Sequence, residues 1–241
     1  MKMTPDNMVL FEVAGIGLNA TIAMTWLVMA LLVGMSLLAR RGISDSLVPT
    51  RWQNLLEVLV AEMGRQIADV SQHDPGRYLP FVGTLFIFIA SANALIIVPG
   101  YVPPTGSLST TTALALCVLV AVPLYGIAEK GVGGYLRNYV RPTVFMLPFN
   151  IIGEFSRTVA LAVRLYGNVM SGTVIVGILI SVAPFLFPIL LTLLGLLTGV
   201  IQAYIFAVLA MVYIASATRA SHEPESPASA APSNEQPLER K

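Results

Sequence analysis

Arg157, Arg164, Asn168 and Ser171 recur along the stretch RTVALAVRLYGNVMSG, inside a run that is otherwise apolar. At roughly 100° per residue these side chains fall within a wedge of about 60°, with Glu154 near its edge, so a helix here carries one polar stripe. The chemistry on offer is that of a fixed cation, because a guanidinium keeps its proton at any physiological pH. An arginine at bilayer depth costs about 2.5–3.5 kcal/mol on insertion scales and is kept only where it faces protein or water. Arg157 has Glu154 three residues before it, a spacing at which a neutralised structural pair forms. Arg164 has no acid at either helical spacing, so its partner is expected from elsewhere. On the returning apolar run, Gly195, Gly199 and Gln202 share a face and leave room for a close neighbour. Gln202 then reads as the polar counterpart of Arg164 or Asn168, or as a glutamine at a helix–helix contact.

The elements that must hold these residues are helices in lipid. Apolar residues make up 56% of the chain and charged residues 11%, which excludes an ordinary soluble domain. A formal net charge of +1 gives no reason to expect a nucleic-acid partner. The fold class expected is all-α: a polytopic membrane protein of about five membrane helices, the last two a long, steeply inclined hairpin, plus an interfacial amphipathic helix. The spans are placed at about 18–39, 79–98, 109–128, 148–183 and 188–217 within a single membrane domain, 1–217. Residues 51–71 carry Trp52, Leu55, Leu56, Leu59, Met63 and Ile67 on one side and Gln53, Glu57, Arg65 and Asp69 opposite. That helix belongs at the membrane surface, against a partner, or on its own chain. The segment PGYVPPTGS, 99–107, is a turn without a charge, and KGVGGY from Lys130 begins a basic loop. Residues 218–241, rich in Ser, Pro, Ala and Glu, are expected to be a disordered cytoplasmic tail. Cys117 has no partner for an internal disulfide. No cleavable leader is read at the N-terminus, and no cofactor or metal site is expected.

Lys and Arg cluster in the loop between the first and second spans, in the Lys130 loop and in the tail, and are absent from the 99–107 turn and the Pro184–Pro188 tip. Five spans with the N-terminus outside and the C-terminus in the cytoplasm satisfy the positive-inside rule at every loop. Upright, the last two runs would measure about 54 and 45 Å against a hydrocarbon core near 30 Å. Kept inside the bilayer, they need tilts of roughly 56° and 48°, beyond the usual range of about 0–40°.

The runs AVRLYGNVMSG from Ala162 and GVIQAYIFAVLAMVYIASA from Gly199 closely resemble subunit a of the F-type ATP synthase membrane sector. Asn93 with Pro99, PTGSLSTTTALAL from Pro104, KGVGGY from Lys130, and Pro148 extend the match to nearly the whole chain except the tail. The resemblance implies a stator in the bacterial inner membrane, pressed against a ring of c subunits. It also implies a subunit b peripheral stalk and the remainder of the F-type ATP synthase as partners. One ion half-channel would open to each side, with protons translocated as ATP is made or hydrolysed. Arg164 matches the family's essential arginine, Gln202 the polar residue facing it, Asn168 a half-channel asparagine, and Arg157 a basic residue near the cytoplasmic mouth. Ser171, Glu154, Thr173 and Asn93 are the further candidates for half-channel or mouth lining.

Departures from the pattern bear on the ion. Many family members carry an acid or a histidine where Thr173 or Gly195 stands, and an acid at the place of Asn150. A relay of titratable side chains is thin in this chain, and GNVMSG resembles the alternate, N-type branch associated with sodium. The same role with sodium as coupling ion is therefore an alternative. A reading from another class is a secondary transporter in which Arg164 clamps a substrate carboxylate, although no repeated halves support it. A purely structural scaffold leaves Arg164 unexplained.

Overall fold

The structure is a computed structural model that describes residues 9–13, 16–42, 51–71, 75–98, 100–140, 146–182 and 187–219. Pro99, His73, the Pro184 tip and the tail beyond 219 lie outside the described residues. A short antiparallel hairpin comes first, β1 (Val9–Val13) paired with β2 (Ile16–Asn19), with Val13 opposite Ile16. The sequence reading did not anticipate it. Because β2 runs to Asn19, the first helix begins at Ala20, two residues later than the apolar run suggests.

Among the described residues six α-helices follow: α1 (Ala20–Gly42), α2 (Arg51–Ser71), α3 (Leu79–Ala94), α4 (Leu108–Val140), α5 (Met146–Val182) and α6 (Phe187–Arg219). Five of them, all but α2, are long and apolar enough to cross a membrane, as expected. α1 exposes Trp26, Met35, Leu37 and Leu38, an apolar surface suited to lipid rather than water. The second half of α2 turns its apolar side inward, where Ile67 is buried and Leu59, Met63 and Val70 line a pocket with Tyr204 and Met211 of α6. That half of the amphipathic pattern is met on its own chain.

Two helices differ in extent from their apolar runs, each for a local reason. α3 stops at Ala94 and continues as a 3₁₀ turn, Leu95–Ile97. Val98 is extended (ψ 118°), as the residue before a proline must be, since the proline ring crowds the helical conformation. α4 runs past the expected end of its span to Val140, but it is broken at Gly131, whose φ of 74° falls where a side chain is strained. The break reverses part of the chain onto itself. Nine residues of straight helix would separate Gly126 from Tyr135 by about 13.5 Å, yet a Cβ on Gly126 would meet the Tyr135 ring at 2.6 Å. The KGVGGY segment is therefore a kinked helix and not an open loop.

α6 is the centre of the bundle. Ala203, Phe206, Ala207, Ala210, Met211, Ile214 and Ala215 are buried along it, and they share one core with Val82, Leu85 and Ile89 of α3, Val118 and Val122 of α4, and Leu161 and Leu165 of α5. Lipid tails are as apolar as leucine, so helices in a membrane associate through close packing and polar contacts, and the alanines on α6 permit the close approach. A polar clamp fixes the register. Asn93 of α3, buried in the core, donates from Nδ2 to the Gly199 carbonyl at 3.0 Å. Thr105, from the Pro104–Gly106 turn, donates to Asn93 Oδ1 at 2.7 Å. Only a glycine allows this contact, because a Cβ at 199 would sit 2.9 Å from Asn93 Cβ. At the other end, Lys130 Nζ donates to the Ala217 carbonyl at 2.8 Å, joining α4 to the last turn of α6. Near it, Arg77 and Glu129 form an exposed ion pair that ties the start of α3 to α4.

Two consequences are measurable. Ala210 is fully buried, so Ala210→Leu should overpack the centre at a cost of about 1–3 kcal/mol, read as a lower thermal midpoint for the purified complex. Gly199→Val should displace Asn93 and break its bond to the α6 backbone, a loss of about 1–3 kcal/mol seen in the same assay. Val200→Ala, one residue along and on the exposed side, is expected to leave the midpoint nearly unchanged.

Candidate functional site

The polar stripe of α5 exists, but the structure sorts its members by partner. Leu161, Ala162, Leu165 and Val169 turn inward to the core, and this rotation leaves Arg164 on the exposed side of the helix. Among the described residues Arg164 makes no ion pair and no side-chain hydrogen bond. Asn168, half-buried, donates from Nδ2 to the Thr198 carbonyl of α6 at 3.3 Å. Ser171 and Thr173 are exposed and bond back to their own helix, at the carbonyls of Asn168 (3.1 Å) and Met170 (2.9 Å). Such back-bonding satisfies a hydroxyl without a partner helix and keeps its lone pairs available.

Arg157 does not pair with Glu154. Its guanidinium lies over the Tyr213 ring of α6, 5.6 Å from the centroid, the geometry of a cation–π contact. The Glu154 carboxylate makes no ion pair among the described residues. The intrahelical couple read from the sequence is replaced by a contact between helices, because Arg157 can reach an aromatic face that the sequence spacing does not reveal.

The contacts Asn168–Thr198 and Arg157–Tyr213 show that α5 and α6 run antiparallel, since one position falls as the other rises. From the first contact, stepping back one turn on α5 reaches Arg164, and stepping forward one turn on α6 reaches Gln202. The two therefore lie at the same level along the helix pair, within about one 5.4 Å turn. Gln202 is buried, with 6% of its surface exposed. Among the described residues its amide makes no hydrogen bond, to Arg164 or to anything else.

Above that level lies a cleft of about 590 Å³. It is bounded by the end of α3 and the segment after it, the middle of α5 and the first half of α6. Asn93, Tyr101, Asn168, Thr173 and Thr192 bring polar groups to it; Gly172, Gly195 and Gly199 leave it open, and Ile97, Val176 and Ile180 supply apolar wall. Arg164 is not among the lining residues, so the cleft ends about one turn away from it, at Asn168. Glu154 and Arg157 lie in the opposite direction along α5. Arg164 thus separates two polar regions of one helix. Asn93 reaches the cleft, but one donor and one acceptor of its amide are already committed to Gly199 and Thr105. Sequence reasoning passed over Thr105 and Tyr101, whose only signal was polarity inside a Pro/Gly turn that brackets the end of a span.

Residues 22–215 match the family of the ATP synthase A chain. The chain is 57% identical over 220 residues to an ATP synthase subunit a of Albidiferax ferrireducens, covering 91% of this chain and 95% of that one. It is 61% identical over 219 residues to an ATP synthase subunit a of Acaryochloris marina, covering 91% and 94%. It is 53% identical over 218 residues to that of Nitrosospira multiformis, covering 90% and 87%. The family match runs from within α1 to within α6 and takes in Arg164, Asn168 and Gln202, and the chain belongs to the ATP synthase subunit a family.

Proposed function

We propose that this multi-pass membrane protein, a stator component of the ATP synthase membrane sector, forms two ion half-channels against a ring of c subunits. The observation that carries this reading is the exposed Arg164, without an ion-pair or hydrogen-bond partner among the described residues, level with Gln202 and one turn from the end of the cleft. The cleft is read as the half-channel on the side of the 99–107 turn, outside the cell, with the N-terminus outside and the C-terminus in the cytoplasm. Glu154 and Arg157 mark the cytoplasmic approach, and subunit b with the rest of the complex holds the chain against the ring.

The mechanism follows from the fixed charge. A ring carboxylate arriving opposite Arg164 meets a guanidinium that cannot lose its proton, and this favours the carboxylate's charged form. The carboxylate gives up its ion to the half-channel it has just reached. As it moves on, it must be recharged from the other half-channel before it can re-enter lipid, where an ionised acid is costly. Arg164 also repels any cation that would cross directly between the two half-channels. Gln202, buried at the same level, offers a neutral donor and acceptor beside that meeting point.

Protons are the coupling ion in this reading. The sodium alternative is favoured by one specific observation: Thr173 and Gly195, both on the cleft wall, cannot titrate, so access depends on water rather than on a chain of side-chain acids.

Arg164→Ala is expected to abolish ion-coupled ATP synthesis while the subunit remains inserted and assembled, since removing a charge at bilayer depth eases insertion by about 2.5–3.5 kcal/mol. Passive ion leak should rise, and Arg164→Lys should be almost as damaging because an ammonium is a compact charge without the planar fork of donors. Synthesis and leak in membrane vesicles, with the subunit content measured alongside, check both. Near-normal synthesis in an assembled Arg164→Ala complex would overturn the assignment. For the ion, sodium-stimulated ATP hydrolysis and protonophore-resistant sodium uptake by the reconstituted complex would establish sodium, and no sodium effect at any pH returns the reading to protons.

A further inference from the structure

We infer that Tyr213 is a positioning residue for the ion path: its ring holds the Arg157 guanidinium away from Glu154, so that the Glu154 carboxylate stays free to draw the coupling cation toward the cytoplasmic half-channel. The inference rests on the half-channel reading, in which Glu154 and Arg157 mark the cytoplasmic approach, and adds to it a residue on the facing helix. Glu154 and Arg157 stand three residues apart on α5, a spacing at which an acid and a base pair along a helix surface. They do not pair here. The Arg157 guanidinium reaches across to α6 instead, 5.6 Å from the centroid of the Tyr213 ring. An exposed cation–π contact is worth about twice a helix-surface ion pair, so the ring wins the guanidinium.

The contact leaves behind a carboxylate without an ion pair among the described residues. Thr158 donates to the backbone carbonyl of Glu154 at 3.0 Å and not to its side chain. Two other bases are committed elsewhere: Lys130 donates to the Ala217 carbonyl, one turn beyond Tyr213 on α6, and Arg77 pairs with Glu129. Glu154 is half-buried on a helix long and apolar enough to span a membrane, where an acid is kept only if it meets water or a partner. A free carboxylate attracts a hydrated cation through its charge and its open oxygens. Closed on Arg157, it would present neither, and the approach would lose its one described acid on α5.

The test uses the intact complex in inside-out vesicles, whose cytoplasmic face is bathed by the medium. ATP-driven ion uptake is measured while the ion in the medium is titrated, in one arm as sodium at fixed pH and in the other as pH at fixed sodium. Tyr213→Leu should raise the half-saturating concentration of whichever ion is carried by roughly 2- to 5-fold, the scale of one exposed ion pair, with the saturated rate and subunit content unchanged. Tyr213→Phe keeps an aromatic face and should retain the parent's half-saturation. Glu154→Gln should raise the half-saturating concentration as well, and Tyr213→Leu added to it should raise it no further. Unchanged half-saturation in Tyr213→Leu would overturn the inference. So would an equal further rise in the Glu154→Gln background, because the ring would then act by another route, and so would a fall only in the saturated rate, the mark of a structural ring. If Tyr213→Leu lowers the subunit content, Tyr213→Met takes its place; a subunit missing from both complexes makes the ring structural and overturns the inference too. Failure of the half-channel reading is told apart by Arg164→Ala, which removes that reading if it still makes ATP.

Discussion

A permanently charged guanidinium on a membrane helix must be covered by something other than lipid, and the rest of this structure is arranged around that requirement. α5 could have turned Arg164 into the bundle. It turns Leu161, Leu165 and Val169 inward instead and leaves the arginine at the surface. In a bilayer this is tolerable only where a second polar surface meets it, since the isolated charge costs several kcal/mol. The exposed face of α5 is therefore an unfinished surface, complete only in an assembly, which agrees with the chain's place in the ATP synthase family.

The positioning of that charge is achieved by neutral contacts. Within the core no ion pair holds α6 among the described residues; the amides of Asn93 and Asn168 do so, donating to the Gly199 and Thr198 carbonyls, with the Thr105 hydroxyl bracing Asn93. The choice has a physical reason. Hydrogen bonds between helices in lipid are modest individually, about 0.6 kcal/mol on average and up to roughly 1.7, yet they fix a register without burying a second charge beside Arg164. An ion pair at the same place would compete for the guanidinium's field and, in the proposed mechanism, weaken its hold on a ring carboxylate.

Much of this was legible in the sequence. Hydropathy gave the spans because lipid forces every backbone polar group into a helix, which makes length and apolarity nearly sufficient signals. The wedge containing Arg164 and Asn168 followed from helical periodicity alone. What stayed hidden depended on contacts between distant segments. Nothing local says that Arg157 will take the face of Tyr213 rather than the carboxylate of Glu154, or that Gly199 is a glycine because Asn93 presses against it. Gly131 looked like part of a loop because glycines and a lysine cluster there, and the structure uses its positive φ to bend a helix instead. The β1–β2 hairpin was missed because five- and four-residue strands give too short a pattern beside the apolar run that follows.

The Lys130–Ala217 contact has a mechanical side. α6 is held at Gly199 by α3 and at Ala217 by α4, two supports about 27 Å apart along its axis. A rod gripped near its middle and again at its end resists bending far better than one gripped at a single point. In the proposed arrangement, a ring turning against the subunit pushes it sideways at every step. With both supports in place, the load on the stretch carrying Gln202 passes into α3 and α4 and does not become a local deflection. If the proposed ring slides past this surface, the lysine at the edge of the kinked segment is its bearing mount, setting how stiffly the stator meets it.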